Sequence, residues 1–155
     1  MPSDSRLYPV GSGAPKARTI NGTFVEFGVS TKKRTRVTVA QLNAGFTLLP
    51  ALPGVKWRLL DAVMIAVGGN ATTGTSANII GTRAGSAVQL LAAAVAALTQ
   101  SAVLRAGAAN MVVLADGASF TPLDANTPVT VKTVGSAMTV MTNLDVTLTY
   151  VADAA

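Results

Sequence analysis

Along most of this chain, apolar and polar residues alternate in short runs broken by glycine, proline or asparagine, a pattern that predicts strands rather than helices. The last run is the cleanest: Leu144-Asp145-Val146-Thr147-Leu148-Thr149-Tyr150 keeps strict period two. Arg36-Val37-Thr38-Val39 opens the same rhythm, and Ala40 to Gly45 then reads as a single helical turn closed by glycine. Phe46 to Leu49 is a short strand stopped by Pro50 and Pro53. Val55 to Val67 is the longest strand candidate. Its odd positions are apolar except for Asp61, while its even positions pass from Lys56 and Arg58 to Leu60, Ala62, Met64 and Ala66. That change predicts a strand one-sided at its start and buried on both faces at its end, overlaid by a neighbour.

Further strands are predicted at Thr23 to Val29, Ala77 to Gly81, Ala87 to Ala92, Ala102 to Arg105, Asn110 to Ala115, Val129 to Val134 and Met138 to Met141. A short helical turn is expected from Val95 to Gln100, where alanine dominates. Gly68-Gly69-Asn70, Asp116-Gly117 and Phe120 to Asn126 supply turns and loops. Short strands with a turn every roughly 8–12 residues predict an all-β chain, an antiparallel β-sandwich of jelly-roll type, over residues 23–155. Residues 1–22 hold several prolines and glycines and few large apolar side chains, and read as a flexible N-terminal arm.

Composition narrows the function. The 155 residues include no histidine and no cysteine, which removes the usual proton shuttle at neutral pH, thiol chemistry and the common ligands of zinc and copper. No catalytic residue, metal ligand or cofactor site is predicted, and the expectation is a protein that is not an enzyme. Charged residues make up 12% of the chain, against about 25% in an ordinary soluble domain. So little charge suits a surface covered by neighbours, hence a homo-oligomer or a larger assembly. The longest weakly polar run, Ala84 to Ala97, is interrupted by Ser86 and Gln89 and is shorter than the about 20 residues of a membrane-spanning helix, so no membrane partner is expected.

The charge is unevenly placed. Residues 1–58 carry nine Lys/Arg against Asp4 and Glu26, and the centre of this basic block is Lys32-Lys33-Arg34-Thr35-Arg36. Such a cluster can neutralise nucleic-acid phosphates, meet an acidic protein surface, or form the solvated start of a strand. Nucleic acid is disfavoured, because neither stacking aromatics nor a recognition helix stands beside it. Asp61, inside an otherwise apolar strand, needs a partner if buried, and Arg83 or Arg105 is expected to supply a structural ion pair. Asp116 and Asp124 stand in turn contexts, where carboxylates bond the backbone. Trp57, the sole tryptophan, is expected in the core.

Several phrases carry a resemblance. Leu48-Leu49-Pro50-Ala51-Leu52-Pro53-Gly54, Trp57 to Ala62, Ile65 to Gly69, Ala94 to Gln100, Val103 to Gly107, Leu114 to Phe120 and Asn143 to Tyr150 resemble small virion structural proteins of tailed bacteriophages. The resemblance spans roughly residues 36–151 and is closest to the head decoration, or cement, proteins. It implies a jelly-roll or related sandwich, a homodimer or homotrimer, bound to the major capsid protein on the outer surface of the virion. In that role Arg6, Lys16 and Arg18 of the arm, with Lys32, Lys33, Arg34 and Arg36 of the basic cluster, are the candidate capsid contacts. The alternative is a single jelly-roll coat protein whose basic arm binds packaged nucleic acid.

Overall fold

A computed structural model describes residues 17–155. In chain order the strands begin with β1 (Ala17–Ile20), β2 (Thr23–Glu26) and β3 (Ser30–Thr38), followed by the helical turn α1 (Val39–Ala44). Next come β4 (Phe46–Leu49), β5 (Val55–Val67), β6 (Ala71–Thr72), β7 (Ser76–Arg83) and β8 (Ser86–Ala94). The chain closes with β9 (Leu104–Arg105), β10 (Met111–Val113), β11 (Val129–Val134), β12 (Thr139–Val140) and β13 (Asn143–Ala154). The fold is an all-β sandwich. One sheet has the order β3-β13-β5-β9 and the other β10-β8-β7-β11-β4, with every strand pair antiparallel. Val37, Leu59, Met64, Leu144, Val146 and Leu148 from the first sheet share one apolar core with Leu49, Ile79, Leu91, Val129 and Val131 from the second.

β13 is the backbone of the first sheet. It pairs with β3 from Asn143 opposite Thr38 to Val151 opposite Ser30, and with β5 over its whole length. Strict alternation lets one side of β13 feed the core while Asp145, Thr147 and Thr149 face outward. The strand runs four residues past Tyr150, to Ala154, because β5 continues to offer it a partner there.

Three Leu-Leu pairs interrupt the alternation, and each coincides with a β-bulge. Thr47 and Leu49 of β4 lie opposite adjacent residues of β11, leaving Leu48 as the extra residue. Leu59 and Asp61 of β5 lie opposite Tyr150 and Thr149, leaving Leu60. Gln89 and Leu91 of β8 lie opposite Ile80 and Ile79, leaving Leu90. An extra residue resets which positions point inward. β5 therefore buries Val55, Trp57 and Leu59 before the bulge, then Ala62, Met64 and Ala66 after it. This corrects the expectation of two-sided burial at its end: Val63, Ile65 and Val67 are half-buried on the outer face, and Leu60 is 40% exposed.

Local chemistry accounts for the connections. Thr38 and Gln41 form a reciprocal capping box at the start of α1, and Gly45 ends it at φ 96°. Asn43 on α1 accepts hydrogen bonds from the Thr133 hydroxyl and the Met138 amide at 2.8 and 2.9 Å, fastening the helical turn to the far sheet. β7 continues through Gly81, where the Leu123 side chain approaches so closely that a Cβ would lie 2.6 Å from it. The helical turn expected over 95–100 is a three-residue 3-10 turn, Val95–Ala97. Residues 17–22, expected within the arm, instead form β1 and the Asn21-Gly22 turn of a hairpin with β2. That hairpin joins the body where the Gly28 amide donates to the Ala152 carbonyl at 2.9 Å.

The bulges yield a direct test. Leu90 is fully buried, so Leu90→Ala is expected to lower the unfolding free energy by about 2–5 kcal/mol. Leu60→Ser, at the exposed bulge residue, is expected to change it by less than about 0.5 kcal/mol. Urea unfolding of both variants checks this.

Candidate functional site: the basic edge strand

β3 lies at the edge of its sheet, with β13 on one side and no strand on the other among the described residues. Its alternation divides the basic cluster between two faces. Lys32, Arg34 and Arg36 stand on the outer face, opposite Thr149, Thr147 and Asp145. Thr31, Lys33, Thr35 and Val37 turn the other way, and Val37 is fully buried.

The centre of the outer face is an ion-pair triad. Asp145 is 2% exposed, and a carboxylate so enclosed needs charged hydrogen-bond donors. Arg36 supplies a fork, with Nε 2.7 Å from Oδ1 and Nη2 2.9 Å from Oδ2. Arg34 donates from its own Nη2 to the same Oδ2. The hydrogen bond from Arg36 holds the Asp145 carboxyl down at about 2, with Arg34 adding to the effect and burial opposing it. The same bond raises the Arg36 guanidinium above its ordinary value. Two guanidiniums thus share one carboxylate and both remain more than half exposed, at 64% and 55%. The face stays cationic, and Lys32, exposed and in no ion pair among the described residues, adds to it.

Lys33 has a different task. Its Nζ donates to the Leu48 carbonyl at 2.9 Å, reaching from β3 to β4, the edge of the opposite sheet. Beside this strut lies a cleft of about 160 Å³, bounded by the β1–β2 hairpin and lined by Phe24, Glu26, Thr31, Leu49 and Tyr150, with Trp57 at its back. Trp57 and Tyr150 meet edge to face at 5.5 Å. The Trp57 indole donates to the Pro50 carbonyl at 2.8 Å, so its one polar atom is satisfied. Burial raises the Tyr150 phenol above its ordinary value.

The candidate residues fall in different places. Arg6 and Lys16 lie outside the described residues. Arg18 on β1 places its guanidinium 4.9 Å from the Phe27 ring centroid, a cation–π contact within its own hairpin region. Lys32, Lys33, Arg34 and Arg36 are brought together on β3. The expected ion pair between Asp61 and Arg83 or Arg105 is not formed. Asp61 follows the bulge of β5, half-buried, and its Oδ1 accepts from the adjacent Ala62 amide at 2.8 Å. Arg83 belongs to the other sheet, where it donates to the Ala118 carbonyl at 2.6 Å. Arg105, opposite Val63, is exposed and pairs with no acid among the described residues.

The pairs that do form, Arg34 and Arg36 with Asp145 and Arg58 with Asp153 at 2.9 Å, escaped the sequence reading. The available signal was periodic. Arg34 and Arg36 are two apart, hence on one face of a strand, and Asp145 occupies the polar phase of the most regular strand in the chain. Among the described residues no group of three or more His, Cys, Asp or Glu is placed to hold a metal ion, and no helix is long and apolar enough to cross a membrane. Comparison with known proteins finds no matching family model, curated protein or solved structure.

The triad makes stability depend on pH in a defined direction. The Asp145 carboxyl titrates below its ordinary 3.8, so its contribution is full above that value and is lost as pH falls towards about 2. With both partners open to solvent screening, the loss is expected to be on the order of 1–2 kcal/mol. Asp145→Asn is expected to be less stable at pH 7 and to flatten this part of the acid profile, read by urea unfolding at a series of pH values.

Proposed function

We propose that this chain is a structural, non-enzymatic virion protein that decorates a bacteriophage capsid, binding the outside of the shell and bridging its capsomers. The observation that carries the reading is the segregation of charge. Cations gather on one long edge strand, whereas the outer face of β5 presents half-buried Val63, Ile65 and Val67. A surface of that kind suits a protein whose faces are covered by copies of itself and by a large acidic partner. The phrases that resemble those of phage cement proteins support the same reading, as does the absence of histidine and cysteine from the chain. Each contact would repeat over many symmetry-related positions, so that modest affinity per copy suffices when one subunit or oligomer spans two capsomers.

We also read the sandwich as a jelly roll, and the strand order supports it. Number β3, β4, β5, β7, β8, β9, β11 and β13 from one to eight: one sheet is then 1-8-3-6, and the other 2-7-4-5 with β10 added at its edge. That order also favours a second reading, a single jelly-roll coat protein with a nucleic-acid-binding arm. The two readings differ in what the protein needs in order to assemble.

Sedimentation separates them. The purified protein is expected to stay small alone, to pellet with phage heads stripped of accessory proteins, and not to pellet with nucleic acid. Removing residues 1–16, which leaves the β1–β2 hairpin intact, is expected to keep the fold and weaken head binding. Spontaneous shells, or pelleting with nucleic acid alone, would transfer the assignment to the coat protein. Unchanged occupancy after the truncation would remove the arm from the contact.

A further inference from the structure

We propose that the edge of β3, which no strand covers among the described residues, takes an extended acidic segment of the partner protein as an added strand. The inference deepens the decoration reading and rests on it, by naming how the partner is held. An edge strand keeps a row of backbone donors and acceptors on its outer side, which an incoming strand can pair. The other sheet edges offer little: β9 has two residues, β10 three and β4 four, against nine in β3.

Charge selects the occupant. An added strand would set its outward side chains across from Lys32, Arg34 and Arg36, and Asp145 only partly neutralises the two guanidiniums among them. Carboxylates at those positions complete cross-strand pairs. A second copy of β3 would set cation against cation and is disfavoured. Nucleic acid would meet Thr147, Thr149 and the Asp145 carboxylate there, with no aromatic face on which to stack. The inward side of the added strand finds a different surface. Its side chains would point the same way as Thr31 and Lys33, on the side of the β1–β2 hairpin, where Phe24 is 66% exposed beside the cleft and offers an apolar seat. The preferred segment therefore alternates acidic residues outward with an apolar residue inward near the Thr31 end.

The test uses the full chain and a synthetic peptide about as long as β3 that alternates aspartate with valine. A lysine-for-aspartate version and a duplex DNA oligonucleotide serve as competitors. The acidic peptide is expected to bind, to weaken as salt rises, and to slow hydrogen exchange at β3 amides. Lys32→Glu alters an exposed side chain that forms no ion pair among the described residues, and is expected to weaken binding about tenfold. No binding, equal binding of the lysine peptide, preference for DNA, or binding without protection of β3 amides would each overturn the proposal. Stripped heads in parallel keep the two levels apart. Heads bound without the peptide binding would remove strand addition and leave decoration standing, whereas peptide binding without head binding would do the reverse.

Discussion

A strand in a sandwich has one face for the core, so two large apolar side chains in succession cannot both be buried unless the strand yields a residue. This chain meets that constraint at Leu48-Leu49, Leu59-Leu60 and Leu90-Leu91, and at each the ladder slips by one. The slips are not equivalent. At Leu48-Leu49 and Leu90-Leu91 both leucines are buried, so the bulge adds apolar volume to the core. At Leu59-Leu60 the second leucine is turned out, and the bulge serves to exchange the inward phase of β5. Without that exchange the strand would bring Val63, Ile65 and Val67 into the core and expel Ala62, Met64 and Ala66. The small alanines on the inward side leave room for the long side chains of the opposite sheet.

Electrostatics then fixes the register at the sheet edge. A shift of β3 by one residue along β13 would turn Arg34 and Arg36 to the core face and break the forked pair with Asp145. The buried carboxylate therefore acts as a register pin, and the basic cluster has an internal role as well as an outward one. The two do not compete, since one carboxylate cannot satisfy the donors of two guanidiniums that remain largely in solvent. Lys33, pointing the other way, ties the same strand to β4 and closes the side of the sandwich. Neighbouring cations thus separate by the parity of their positions.

Much of the fold was legible in period two. Val55 to Val67 is a strand over the full span that alternation predicts, and Val129 to Val134 likewise. In β5 the failure has a specific physical cause: a one-residue insertion exchanges the inward phase, and period two alone does not show where it falls. The second half of residues 55–67 looked buried on both faces for that reason, and Asp61 looked enclosed when it lies at the bulge. The hairpin at residues 17–26 was hidden differently, since β1 has exposed or half-exposed side chains throughout and gives no apolar rhythm. Of the basic edge, the cations were evident from composition. Their carboxylate was not, because Asp145 is far off in the chain and only the pairing of β3 with β13 brings it near.

That separation also sets an order of events during synthesis. Asp145 follows Arg34 by 111 residues, so β3 and β5 are made long before the strand that joins them. Long-range closure of this kind slows folding and leaves early strands without neighbours for as long as translation takes. A nine-residue strand waiting in that state is ordinarily an invitation to aggregate. Here the waiting strand is Ser-Thr-Lys-Lys-Arg-Thr-Arg-Val-Thr, whose like charges disfavour pairing with another copy of itself until Asp145 is there to claim it.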